Sequence, residues 1–132
     1  MIALLVISHS AEVARGICSI AAQMAGPSVP LEGCGGTEEG ALGTSVPAIL
    51  EAMERLMARS EGLVVVPDLG SAVLAARTAR EMIEGGAERI VIADGPVLEG
   101  TVLAAVEASV GAGLERVASV VGEARDLKKT QD

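Results

Sequence analysis

Residues 2–10 read Ile-Ala-Leu-Leu-Val-Ile-Ser-His-Ser (IALLVISHS). Ile2–Ile7 is apolar without alternation, as expected of a strand covered on both faces. Gly62–Pro67 (GLVVVP) and Arg89–Ala93 (RIVIA) read the same way. A weaker strand over Ser28–Gly33, where Val29 and Leu31 alternate with other residues, suits a sheet edge.

Longer amphipathic stretches separate these runs. After Ser10, a plausible N-cap, residues 11–25 place Val13, Ile17, Ile20, Ala21 and Met24 at helical spacing, and Gly26-Pro27 stops the helix. A second helix over 46–59 presents Ile49, Leu50, Met53, Leu56 and Met57, with Pro47 tolerated in its first turn. The third follows Asp68-Leu69-Gly70-Ser71, carries Val73, Leu74, Ala76, Ala79, Met82 and Ile83, and ends at Gly85-Gly86. Helices over Val97–Ser109 and Leu114–Lys128 complete the pattern. Strand and helix in alternation define right-handed βαβ units. The expected fold is α/β: an open parallel sheet, strand order 2-1-3-4, with helices on both faces. One domain is expected over residues 1–127, followed by a charged tail at 128–132.

Composition narrows the function. The 132 residues are half hydrophobic, enough for one core, yet contain no Phe, Tyr or Trp. No aromatic platform is therefore present for a base or a sugar. A net charge of −8 with only 10 Lys and Arg argues against nucleic acid. It suits solubility or a basic protein partner. Cys18 and Cys34 match no metal or redox spacing, and with one histidine they form no zinc set, so no metal is expected. The apolar run from Met1 to Ile7 is too short to cross a membrane and lacks a basic leader, so a cytoplasmic location is expected.

In an open parallel sheet, chemistry collects at the carboxyl ends of the strands, where the strand order reverses. With order 2-1-3-4, that crevice joins Ser8-His9-Ser10 to Asp68-Leu69-Gly70-Ser71. His9 and Asp68 would face each other, and the glycine-rich connections 33–44 and 94–100 would form the walls. A neutral imidazole is a nucleophile at one nitrogen when a carboxylate holds the proton on the other. Asp68 is the candidate orienter. The helix start after Ser10 suits a phosphoryl group, and Thr44, Ser45 and Ser71 could add hydroxyls. No lysine or arginine is read near these motifs, so a partner protein would bring the positive charge. Other readings stay open: His9 as a hydrogen-bonded turn residue, Asp68 as a cap of the third helix, Ser10 and Thr44 as caps. The 33–44 stretch lacks the Gly-Lys-Ser/Thr ending of a P-loop, which leaves direct ATP binding without support, and no cofactor is expected.

Four segments, IALLVISHSAEVARG, GALGTS, VVVPDLGSAVLAA and GPVLEG, together resemble the phosphotransferase-system subunit of bacterial dihydroxyacetone kinase (DhaM). That family is similar in fold to mannose-type enzyme IIA. The resemblance runs in order along nearly the whole chain. It implies a phosphohistidine relay in which His9 matches the phosphorylated histidine and Asp68 the carboxylate beside it. The implied donor is the phosphocarrier HPr, charged from phosphoenolpyruvate by enzyme I. The implied acceptor is ADP held in the subunit DhaL, from which the phosphoryl group passes to dihydroxyacetone on DhaK. A homodimer is also implied. Some family members continue into HPr-like and enzyme I-like domains; with the sequence ending at 132, free donor proteins are expected unless it is a piece of a longer chain. The 33–44 loop departs from the family in its glycine content and in Glu38-Glu39. The alternatives are a mannose-type enzyme IIA feeding a sugar permease, with the same His9 chemistry, and a non-catalytic interaction module in which His9 is dispensable.

Overall fold

Strand β1 (Ile2–Ser8) lies inside a four-stranded parallel sheet of order β2-β1-β3-β4 in the computed structural model, which describes residues 1–131. Its neighbours are β2 (Leu31–Gly35) and β3 (Gly62–Pro67), with β4 (Ile90–Ile92) beyond β3. The register pairs Ser8 with Gly35 and Ile7 with Pro67, so β1, β2 and β3 end together. The reversal of strand order thus falls between β1 and β3.

Alternate residues of the central strands serve two cores. Ala3, Leu5, Ile7, Leu63 and Val65 pack against α2 (Val46–Met57) and α3 (Gly70–Glu81). Ile2, Leu4, Val64 and Val66 face the other way, toward residues of α1 (Ala11–Ala25), α5 (Val97–Ser109) and α6 (Leu114–Glu123). Leu4 and Leu5 are consecutive and both fully buried. Each such leucine contributes about 1.5–3 kcal/mol by leaving water. The unbroken apolar runs are therefore explained by helices on both faces.

Several local expectations need correction. Strand β2 begins three residues later than the alternation suggests, and Val29 is buried ahead of it. Strand β4 is shorter than Arg89–Ala93, because a single turn, α4 (Gly86–Arg89), precedes it. Helix α2 stops at Met57, and α6 stops at Glu123 with a 3-10 turn over Ala124–Asp126. The buried faces of α1 and α3 are lined by alanines. Helix α1 buries Ala14, Ile17 and Ala21 and exposes Val13, Ile20 and Met24. Helix α3 buries Ala72, Ala75, Ala76 and Ala79, leaving Leu74 and Met82 exposed. Small residues let these helices sit close to the sheet, so choosing the largest side chains misplaces the stripe. In the charged tail, Lys129 Nζ meets Glu99 Oε2 at 2.9 Å, and Asp132 lies outside the described residues.

Candidate active site

The turn after β1 and the turn after β3 meet because their strands are adjacent and in register. Asp68 N–H donates to Ile7 O at 2.9 Å, which fixes the second turn against the first. The Asp68 carboxylate then spans the gap. Its Oδ1 is 2.9 Å from His9 Nδ1, and its Oδ2 accepts from His9 N–H at 3.0 Å and from Ser8 Oγ at 2.9 Å. An ionised carboxylate only accepts, so Nδ1 carries the proton of the neutral ring and Nε2 keeps its lone pair. Nε2 lies 2.6 Å from Ser71 Oγ, whose hydroxyl donates to it.

The charge balance follows from these contacts. Burial pushes the Asp68 carboxyl up, but the His9 backbone N–H, the imidazole and the Ser8 hydroxyl outweigh it, holding the carboxyl below the ordinary aspartate value. The side chains of His9 and Asp68 remain 26% and 16% exposed, so the pair is anchored yet reachable from solvent.

Of the residues singled out in the sequence, the structure brings His9, Asp68 and Ser71 into one hydrogen-bonded set. Ser10 is adjacent, but its hydroxyl caps α1 by accepting from Val13 N–H at 3.2 Å. Thr44 is not among the groups bonded to His9; it lines a separate groove with Glu38, Glu39 and Ser45. The contact of that loop with His9 is through backbone, from Gly43 N–H to His9 O at 2.9 Å. The cap of α2 is Ser45, one residue beyond Thr44. Asp68 does not cap α3: the N-cap position is Leu69, with no side-chain bond.

Two features were missed. Ser8 is 1% exposed and bonded to Asp68, a polar end to an otherwise apolar strand. The sequence carries no signal of that burial, since a serine at a strand end reads as part of the turn. The reading that no cation lies near the motifs is also corrected. Arg77 lines a cleft of about 360 Å³ beside the site, with Asp68, Leu69, Gly70, Asp94 and Gly95. Arg15 lines a groove on the other side, with Ser10, Gly35 and Leu42. Both arginines sit further along helices whose first turns border the site, a proximity that depends on helical rise.

The glycines of the walls have a packing reason. A Cβ on Gly35 would come within 2.6 Å of Ser10 O, so β2 can end there only by letting the start of α1 pass close. A Cβ on Gly95 would collide with Val121 O of α6, and one on Gly100 would reach Val121 Cγ1 at 2.7 Å. The GPVLEG segment is thus shaped largely by α6. Burial pushes the Cys18 thiol up to about 11, with Glu32 adding to the effect, and burial also raises Cys34. Neither is poised as a thiolate nucleophile. Among the described residues, no group of three or more His, Cys, Asp or Glu is gathered as for a metal ion. No helix among them is long and apolar enough to cross a membrane.

A parallel α/β domain with a carboxylate-held histidine at its switch point has close counterparts. The mannose-type enzyme IIA family, described as "PTS system fructose IIA component", matches residues 3–118. The phosphoryl donor subunit DhaM of PEP-dependent dihydroxyacetone kinase 2 from Listeria innocua is 33% identical over 118 residues, covering 89% of this chain and 94% of that protein. The corresponding DhaM of Klebsiella michiganensis is 32% identical over 139 residues, covering 99% of this chain but 28% of that longer protein. The crystal structure of a protein of unknown function, EF1359, superposes with a TM-score of 0.83 at 28% identity, covering 99% of this chain and 98% of its own. The chain belongs to the mannose-type enzyme IIA family and, within it, to the DhaM subunits.

Proposed function

We propose that this chain is the phosphohistidine carrier of a phosphoenolpyruvate-dependent dihydroxyacetone kinase. It accepts a phosphoryl group from HPr on His9 and passes it to ADP bound in DhaL, which serves DhaK and its dihydroxyacetone. The single observation that carries this reading is the polarised imidazole, with Nδ1 held by Asp68 at 2.9 Å and Nε2 facing Ser71 at 2.6 Å.

The step follows from that geometry. The Nε2 lone pair attacks phosphorus in line as the bond to the donor's histidine nitrogen breaks, and the electron pair returns to the donor ring. His9 keeps its Nδ1 proton throughout. The ionised Asp68 balances the positive charge that develops on the ring. Ser71 then turns its hydroxyl from Nε2 to a phosphoryl oxygen, beside the first turn of α3. On the outward leg, a β-phosphate oxygen of ADP attacks phosphorus and Nε2 takes back its pair. The net charge of −8 suits steering toward a basic donor surface. A cytoplasmic location and a homodimer belong to the same reading.

The test of the acceptor uses the chain already labelled by enzyme I, HPr and labelled phosphoenolpyruvate. Mixing it with DhaL carrying ADP should move the label into ATP. Label that stays on the chain with DhaL, but discharges onto a mannose-type permease domain, would replace the kinase reading with the sugar-transport one.

A further inference from the structure

Ser8 is the last residue of β1 and the one polar side chain in a strand buried along its whole length. A buried hydroxyl must find partners, and this one has two. It donates to Asp68 Oδ2 at 2.9 Å and accepts from Ser10 N–H at 3.1 Å. The directions are fixed, since a carboxylate cannot donate to it and a backbone N–H cannot accept from it.

The consequence falls on the other carboxylate oxygen. With Ser8 Oγ–H and His9 N–H both on Oδ2, Oδ1 is left for the imidazole. Rotation of the carboxylate would break both Oδ2 bonds. Ser8 and Asp68 together therefore hold three consecutive residues, Ser8, His9 and Ser10, in one arrangement. We propose that Ser8 is a positioning residue for phosphotransfer, locking Asp68 so that His9 presents Nε2 as its unprotonated nitrogen. This rests on the carrier reading above, but its structural half concerns the resting protein alone. No bond is made or broken at Ser8.

The chain has one histidine, so ring nitrogen signals in the intact protein assign themselves. Nitrogen-detected NMR should show wild-type His9 chiefly as the Nδ1–H tautomer. In Ser8→Ala, the Nε2–H fraction should rise. Turnover with phosphorylated HPr should fall on the order of tenfold, the lower end of what losing an outer orienting partner costs, with KM for the donor unchanged. Ser8→Thr, which keeps the hydroxyl, should restore both. Should Ser8→Ala fail to fold, Ser8→Cys fills the place with a poor donor and should show the same tautomer shift. A folded Ser8→Ala or Ser8→Cys with the wild-type tautomer and turnover overturns the assignment. So does lost turnover with an unchanged tautomer. A wild-type chain that takes no label overturns the carrier reading instead, and the tautomer comparison then decides the role of Ser8 within the resting site.

Discussion

Asp68 Oδ1 stands 2.9 Å from His9 Nδ1, while Oδ2 of the same carboxylate binds the His9 backbone N–H at 3.0 Å. One side chain thus fixes both the main chain and the ring of the proposed nucleophile. An amide in its place offers one acceptor and one donor, and the donor would oppose either Nδ1–H or the backbone N–H. Asp68→Asn should keep the fold and slow labelling of His9 by up to about 10⁴-fold, the loss that follows when a catalytic imidazole is held in the wrong tautomer. Single-turnover labelling with phosphorylated HPr measures it. A folded variant with normal rates would remove Asp68 from the mechanism.

Ser71 tests the other ring nitrogen. Its hydroxyl is 2.6 Å from Nε2, where the incoming phosphoryl group would sit. Ser71→Ala removes one donor aimed at developing charge, so transfer should fall by about 10²-fold, near the low end for such a donor. Thermal unfolding should hardly change, because the side chain is at the surface. A loss of stability without a loss of rate would make Ser71 a structural residue.

Acid should act through Asp68. Its folded pKa lies below the unfolded value, so its contribution to stability is fully present above the unfolded value of about 3.9. That contribution is lost as the pH falls through the depressed folded value. In urea titrations, wild type should be more stable than Asp68→Asn at pH 7. The difference should shrink steadily below about pH 4. A gap that is constant across this window would show that the carboxylate's charge is not what stabilises the turn.

Gly95 and Gly16 make a matched pair. Gly95→Ala must displace the Val121 carbonyl of α6 and should cost about 1–3 kcal/mol, as overpacking does. Gly16 is exposed inside α1 with nothing within 4 Å of a new Cβ, so Gly16→Ala should stabilise by up to about 1 kcal/mol. Denaturant midpoints give both. Equal effects would refute the packing account of the GPVLEG segment.

The architecture was legible because Ile2–Ile7 and Gly62–Pro67 are apolar in every register, a pattern that only a doubly covered parallel strand needs. Those runs put His9 and Asp68 at strand ends, whereas the adjacency of the two ends depends on the order 2-1-3-4, which apolar runs alone do not fix. Helix faces were less legible. In α1 and α3 the sheet is met by Ala14, Ala21, Ala72 and Ala76, while Val13, Ile20 and Leu74 face out, and hydrophobic size points the wrong way there. Ser8 was hidden for a related reason: a serine at a strand end looks like a turn residue until its burial is known. Arg77 is close to the site only through the turns of α3, which separation along the chain does not convey.

The most direct measurement incubates the chain and its His9→Ala variant with enzyme I, HPr and labelled phosphoenolpyruvate. The account predicts an acid-labile, alkali-stable label on the wild type, attached at Nε2, and none on His9→Ala. Equal labelling of the two proteins, or no label on either, would contradict it.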